Sequence, residues 1–232
     1  MVRKINIRGV IIPNDYKWYY DWFEEDCTCP KDVQKVLDET VQGDTIEVYI
    51  NSPGGVIDVG SEIYTLLKNR DDVKIYITGQ ACSAASVIAM SNYCEMSPTA
   101  LMMVHCVSSG THGNHNEMEK MAEVLKIADK ALSSAYIAKA GMSEEEALAM
   151  MENETWLTAE QAKEKGLIDA IMFEEQKEKL PLVAGPLFAL PSEEQMEKAK
   201  NMIKEAESQN ESDSVFLMQQ QLNLLKLRGE KR

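Results

Sequence analysis

Along the first half of the chain, short runs of alternating apolar and polar residues are each followed by a stretch in which apolar residues recur every three or four positions. The run 4–12 is β-branched and alternating, and it ends at Pro13-Asn14-Asp15, which predicts a strand closed by a turn. Residues 16–23 are aromatic-rich and fit helix or strand equally. Val33, Val36 and Leu37 fall at helical spacing within 32–40. A second β-branched strand is expected over 45–51, stopping at a Ser52-Pro53-Gly54-Gly55 turn, and Val56, Val59, Ile63 and Leu66 then mark a helix face. Residues 73–78 predict a third strand, and the small-residue loop 79–86 leads into an apolar helix over 87–90. Strands alternating with helices on short connections point to an α/β layered fold with a largely parallel sheet. Ligand sites in such sheets form outside the carboxyl ends of the strands, which is where Gly54, Gly55 and Ser83 fall.

The second half is more helical. An apolar run over 100–107 carries His105, and a polar loop over 108–116 precedes a long helix over 117–139. Met118, Leu125 and Leu132 recur every seven residues, offset from Met121, Ala128 and Ala135, which is the spacing of a helix packing on another helix. An oligomer contact and packing on the chain's own domain both satisfy that seam. Ser143 with Glu146, and Thr158 with Gln161, are capping boxes that open short helices. Gly166 ends the second of these, and 167–173 returns to strand character. The pattern changes after Glu174. Pro181, Gly185, Pro186 and Pro191 make 175–191 a linker. Ser192 and Gln195 cap a charged helix that runs to about Glu207, residues 208–214 are polar, and Val215, Met218, Leu222 and Leu225 follow heptad spacing. The expected organisation is one domain over 1–174, the linker, and a helical, partly disordered tail over 192–232 that is too small for a core of its own.

Composition narrows the function classes. In a chain of 232 residues with 44% hydrophobic positions there is material for a sizeable core. A net charge of −14 excludes a broad nucleic-acid surface, which needs clustered Lys and Arg. No apolar run is long enough to cross a membrane, and residues 1–8 lack the apolar core of a secretory signal. An odd set of cysteines, Cys27, Cys29, Cys82, Cys94 and Cys106, then points to reduced thiols and a cytoplasmic protein. Cys82 and Cys106 flank the candidate catalytic residues and read as small core residues. His112 and His115 sit in a polar loop without a clear acidic partner and read as surface residues, so no metal site is expected.

The chemistry concentrates around Gly79-Gln80-Ala81-Cys82-Ser83-Ala84-Ala85-Ser86, where an extended run gives way to a helical one. Small neighbours let a substrate carbonyl approach Ser83, and a helix start offers unpaired amides. Gly54-Gly55 can supply a further amide and His105 can take the serine proton. These are the parts of a serine hydrolase, and the chemistry requires no cofactor.

Over residues 4–171 the chain resembles the proteolytic-subunit family of the Clp proteases. The likeness is carried by Ile50-Asn51-Ser52-Pro53-Gly54-Gly55, by Gly79-Gln80-Ala81-Cys82-Ser83, by Met103-Val104-His105, and by Leu157-Thr158-Ala159-Glu160-Gln161-Ala162 with Gly166-Leu167-Ile168-Asp169. It implies a ClpP/crotonase-like spiral α/β fold of repeated β-β-α units, with a protruding helical handle and here a C-terminal helical appendage. It implies Ser83 as nucleophile and His105 as general base, with the Gly55 and Ala84 amides as the oxyanion hole. Glu154 occupies the family's aspartate position, one methylene longer; Glu152, Asp169 and a bare Ser–His dyad are the alternatives. The resemblance also implies protein or peptide substrates and a homo-oligomeric ring, single or stacked through the 117–139 helix. The first strand begins by about Lys4, leaving little room for a pore-lining segment, and an appendage follows Glu174. Both features resemble the ClpP-like proteases of phage head modules. The expectation is therefore an ATP-independent serine endopeptidase that trims capsid, scaffold or portal precursors, with the 181–191 linker a candidate for self-cleavage. The alternatives are a subunit working with a ring unfoldase, and a catalytically silent assembly protein. Acyl-CoA chemistry on the crotonase architecture is disfavoured by Ser83 and His105.

Overall fold

The structure is a computed structural model that describes residues 1–68, 70–174, 196–198 and 200–202. Contacts divide the chain into two units, Met1–Glu175 and Gln176–Arg232. In the second unit the described residues, 196–198 and 200–202, are helical; the linker 175–191 and the rest of the tail lie outside the described residues.

The first unit is built on a mostly parallel sheet. Its strands are β1 (Val2–Ile11), β2 (Cys27–Thr28), β3 (Thr45–Gly55), β4 (Val73–Cys82), β5 (Tyr93–Met96), β6 (Leu101–Val104), β7 (Thr155–Leu157) and β8 (Ala170–Ile171). The main path runs β2-β1-β3-β4-β5-β8. Six helices in the first unit's body and one long helix connect them: α1 (Lys17–Trp22), α2 (Pro30–Asp38), α3 (Ile57–Leu67), α4 (Ala84–Ala89), α5 (His115–Ala140), α6 (Glu144–Glu152) and α7 (Ala159–Glu164).

Alternation in the central strands explains the layering. Ile46, Val48 and Ile50 on β3, and Ile75 and Ile77 on β4, are wholly buried, whereas Glu47, Tyr49, Lys74 and Tyr76 between them are half-buried or exposed. Period-two burial in parallel strands means that one face carries the core. On that face α3 and α4 bring Val59, Ile63, Leu67, Val87 and Ile88 into the cluster. The other face is polar and aromatic: Tyr49 and Tyr76 stack at 5.3 Å, and Lys4 lies over the Tyr49 ring.

Two expected turns are strand instead. The Ser52-Pro53-Gly54-Gly55 segment stays extended, with Val10 opposite Gly54 and Ile11 opposite Gly55. Ser52 Oγ makes this possible by donating to the Gly9 carbonyl at 2.6 Å and accepting the Gly54 N–H at 3.1 Å. Likewise 79–82 continues β4, and α4 begins at Ala84 rather than Val87. Strand β4 thereby forks. Residues Lys74–Ile77 pair with β5, while Gln80, Ala81 and Cys82 pair with β6. The long helix starts at His115, where Asn114 and Glu117 form a capping box, and ends at Gly141 in a left-handed conformation.

Candidate active site

Ser83 follows the last residue of the fork. Its backbone has φ 55° and ψ −126°, a conformation that costs a non-glycine residue on the order of 1–3 kcal/mol. The turn is held on both sides. The Ser83 N–H donates to the Met103 carbonyl at 2.9 Å, and the Ser83 carbonyl accepts from Ser86 N–H at 2.9 Å and Val87 N–H at 3.3 Å. Ala84 and Ala85 are the first helical residues, whose amides have no intrahelical carbonyl to meet.

Gly54 explains why no larger residue precedes this turn in space. A Cβ there would stand 2.7 Å from Ser83 Cβ and 2.6 Å from the Cys82 carbonyl oxygen, and Gly54 has φ +95°. Gly55 lines the cleft beside Ser83; a Cβ on it would strike the Ile11 carbonyl at 2.2 Å. Asn51 supports the approach from the other side, its Oδ1 accepting the Gln80 N–H at 3.2 Å.

His105 is the first residue past β6, and β6 lies against the end of β4. That pairing brings His105 Nε2 to 2.8 Å from Ser83 Oγ. Both side chains are half-buried, partly shielded yet open to a cleft of about 250 Å³ walled by Pro53, Ile57, Val87, Met103, Leu132 and Tyr136. Downstream of the imidazole, the chain is clamped from α5: Asp129 Oδ1 accepts the Val107 N–H at 2.6 Å.

Glu154 is brought close in register but is not bonded to the imidazole. Strand β7 runs antiparallel to β6 with Thr155 opposite Val104, so one step further along the ladder places Glu154 beside His105. Glu154 is exposed and has φ 43°, uncommon for a glutamate. Its Oε1 accepts a long 3.4 Å hydrogen bond from Trp156 Nε1, and among the described residues no hydrogen bond joins it to His105. Asp169 is committed elsewhere, its Oδ2 accepting the Cys94 N–H at 2.7 Å and pairing with Lys139 Nζ. Glu152 is exposed at the end of α6.

Neither flanking thiol is poised to react. Burial raises Cys82, and burial with the neighbouring Asp129 carboxylate pushes Cys106 up to about 11, so both stay protonated at neutral pH. His115 opens α5 and His112 is exposed in the loop before it. Among the described residues no group of three or more His, Cys, Asp or Glu side chains is placed to hold a metal ion.

Sequence reasoning passes over Asp129 and Tyr136 and gives Ser86 only a packing role. Ser86 reads as a packing serine, yet its Oγ donates to the Ser83 carbonyl at 2.7 Å and touches Tyr136 Oη at 2.8 Å. The spacing of α5 places Ala135 on the seam and says nothing of the phenol beside it.

Comparison with known proteins follows the same residues. The Clp protease family model matches residues 33–175, which holds Gly55, Ser83, His105 and Glu154. The chain belongs to the Clp protease family. Among its curated relatives are ATP-dependent Clp protease proteolytic subunits from two strains of Bacteroides fragilis, each 32% identical over 140 residues. The matched region is 59% of this chain and 68% and 64% of theirs. A solved ClpP1 mutant from Listeria monocytogenes superposes with a TM-score of 0.59 over 73% of this chain and 91% of its own, at 22% identity. That likeness establishes the ClpP-like α/β fold for this member of the family.

Proposed function

We propose that this Clp-family chain is a serine endopeptidase in which Ser83 attacks the peptide carbonyl. The observation that carries the reading is the 2.8 Å contact between His105 Nε2 and Ser83 Oγ at the mouth of a cleft. With Nδ1 protonated, Nε2 accepts the serine proton as the carbon–oxygen bond forms and returns it to the leaving amine. The amides of Ala84 and Gly55 receive the oxyanion. Glu154 orients the imidazole after exchanging Trp156 for His105 Nδ1, a change its position at the ladder's next step permits. Peptide hydrolysis by this route consumes only water and needs no cofactor.

The setting we propose is ATP-independent trimming of capsid, scaffold or portal precursors inside a ring oligomer. It rests on the likeness of the stretch after Glu175, which lies beyond the family match, to the appendage of the phage-head members. A second reading, proteolysis coupled to a ring unfoldase, is favoured by the names of the Bacteroides relatives.

The test is labelling with a fluorophosphonate probe, read by peptide mass spectrometry on wild type, Ser83→Ala and His105→Ala. Adduct on Ser83, absent in the first variant and at least about tenfold slower in the second, is the expected result. An assembled wild type that never labels would reject the nucleophile. Degradation of a folded protein separates the two settings, because the unfoldase reading requires ATP and an unfoldase for it, whereas ATP-independent trimming proceeds without either.

A further inference from the structure

The Ser83 carbonyl is held more heavily than the first carbonyl of a helix requires. Besides the N–H groups of Ser86 and Val87, it accepts the Ser86 hydroxyl at 2.7 Å. That bond spends the only hydrogen on Ser86 Oγ. The 2.8 Å contact between Ser86 Oγ and Tyr136 Oη is therefore one in which the phenol donates. A directed chain results, from the Tyr136 hydroxyl to the Ser86 hydroxyl to the Ser83 carbonyl. Ser86 is 0% exposed and Tyr136 2%, and burial pushes the phenol up to about 12, so it remains a donor at any working pH. Packing alone does not call for these oxygens: alanine and phenylalanine would fill nearly the same space without burying two hydroxyls.

The acceptor of this chain shares a peptide unit with the Ala84 N–H. A planar trans peptide points its carbonyl and its N–H in opposite directions. Fixing the carbonyl with three donors thus aims the Ala84 N–H, and drawing charge onto the carbonyl oxygen strengthens that N–H as a donor. We propose that Ser86 and Tyr136 are positioning residues for the hydrolysis, a two-hydroxyl relay from α5 that holds and polarises the peptide whose N–H receives the oxyanion. The proposal rests on the reading of Ser83 as nucleophile and Ala84 as oxyanion donor. Both relay residues act through the Ser83–Ala84 peptide and not on the substrate.

The experiment uses the full chain in its assembled form, a fluorogenic peptide that the wild type cleaves, and a peptide boronate whose tetrahedral adduct places an anionic oxygen in the hole. Ser86→Ala is expected to lower kcat about tenfold and weaken boronate binding in step, with KM unchanged, less than the about 10²–10³ lost when a donor is removed outright. Tyr136→Phe is expected to lower kcat about threefold, polarisation through one extra bond being a smaller effect. In the Ser86→Ala background Tyr136→Phe should cost nothing further, because it acts only through Ser86. Wild-type kcat in both variants, losses that multiply independently, or losses confined to KM would overturn the relay. If Ser86→Ala does not assemble, the kcat-against-KM split of Tyr136→Phe decides alone. A wild type that neither labels at Ser83 nor cleaves the peptide removes the nucleophile reading and the relay with it, whereas an active wild type with unaffected variants removes only the relay.

Discussion

Ser83 sits in a backbone conformation that few serines adopt, and the residues around it show how that cost is met. Four hydrogen bonds fix its peptide groups, and Gly54, having no side chain, leaves room for its Cβ. Glu154, the proposed orienting residue, bonds to Trp156 and not to His105. The extra methylene of Glu154 lets its carboxylate reach Trp156, and the ladder also sets it beside His105. Replacing Glu154 with glutamine should lower kcat about 10²-fold while particle size in sedimentation stays the same, because the orienting charge is lost and the fold is not. Near-normal turnover would assign the chemistry to Ser83 and His105 alone. At this scale the sequence is informative where chemistry is local in kind. A serine among small residues and a histidine after an apolar run can each be picked out, and the fold brings them together. The partnership of Ser86 with Tyr136 spans 50 positions and leaves no local signal, since each alone is an ordinary core residue.

Among the elements, α5 is divided in its surroundings. Ser133, Ala135 and Tyr136 are buried in its carboxyl half, whereas Met118, Val124 and Ile127 in the amino half are 43%, 49% and 70% exposed. The seven-residue seam runs from the buried Ala135 through the half-buried Leu132, Ala128, Leu125 and Met121 to the exposed Met118, with Val124 and Ile127 exposed beside it. If the outer half is covered by another copy in the proposed ring, Leu125→Asp should shift the particle to smaller species in analytical ultracentrifugation. A particle of unchanged mass would leave the seam as an intrachain feature. The strands that read cleanly from sequence are β3 and β4, because burial of one face only preserves alternation at Ile46, Val48, Ile50, Ile75 and Ile77. The ends of those strands read wrongly as turns. Proline and two glycines normally end a strand, but here β1 supplies partners to Gly54 and Gly55, and β6 supplies partners to Gln80, Ala81 and Cys82. Strand β5 is hidden for the opposite reason: Cys94 and Met96 are its only buried side chains, too few to make a pattern.

At the scale of the whole molecule, the amino-terminal edge is tied to the sheet by charge. Asp44 is buried and accepts from the terminal amine at 2.6 Å and from Arg3 Nε at 3.2 Å. The terminal ammonium first, and Arg3 after it, hold the carboxyl down to about 2. A carboxyl depressed in the folded state contributes stability that is whole above the unfolded value of about 4 and is lost as pH falls towards 2. Asp44→Asn should accordingly lower the melting temperature at pH 7, with the gap to wild type narrowing between pH 4 and pH 2. A gap that is constant over that range would mean that the ion pairing contributes nothing.

The fork in β4 has a wider consequence. Ser83 and His105 follow the two strands that pair beyond the split, the end of β4 and β6, and these are fastened by three ladder pairs and the bond from Ser83 N–H to Met103. The isoleucines of β3 and β4 lie on the other side of the split. A displacement of the β6–β7 ribbon that lengthened the 2.8 Å contact would therefore part His105 from Ser83 without opening the ladders of β1, β3 and β4, so a closed core does not by itself guarantee a formed pair.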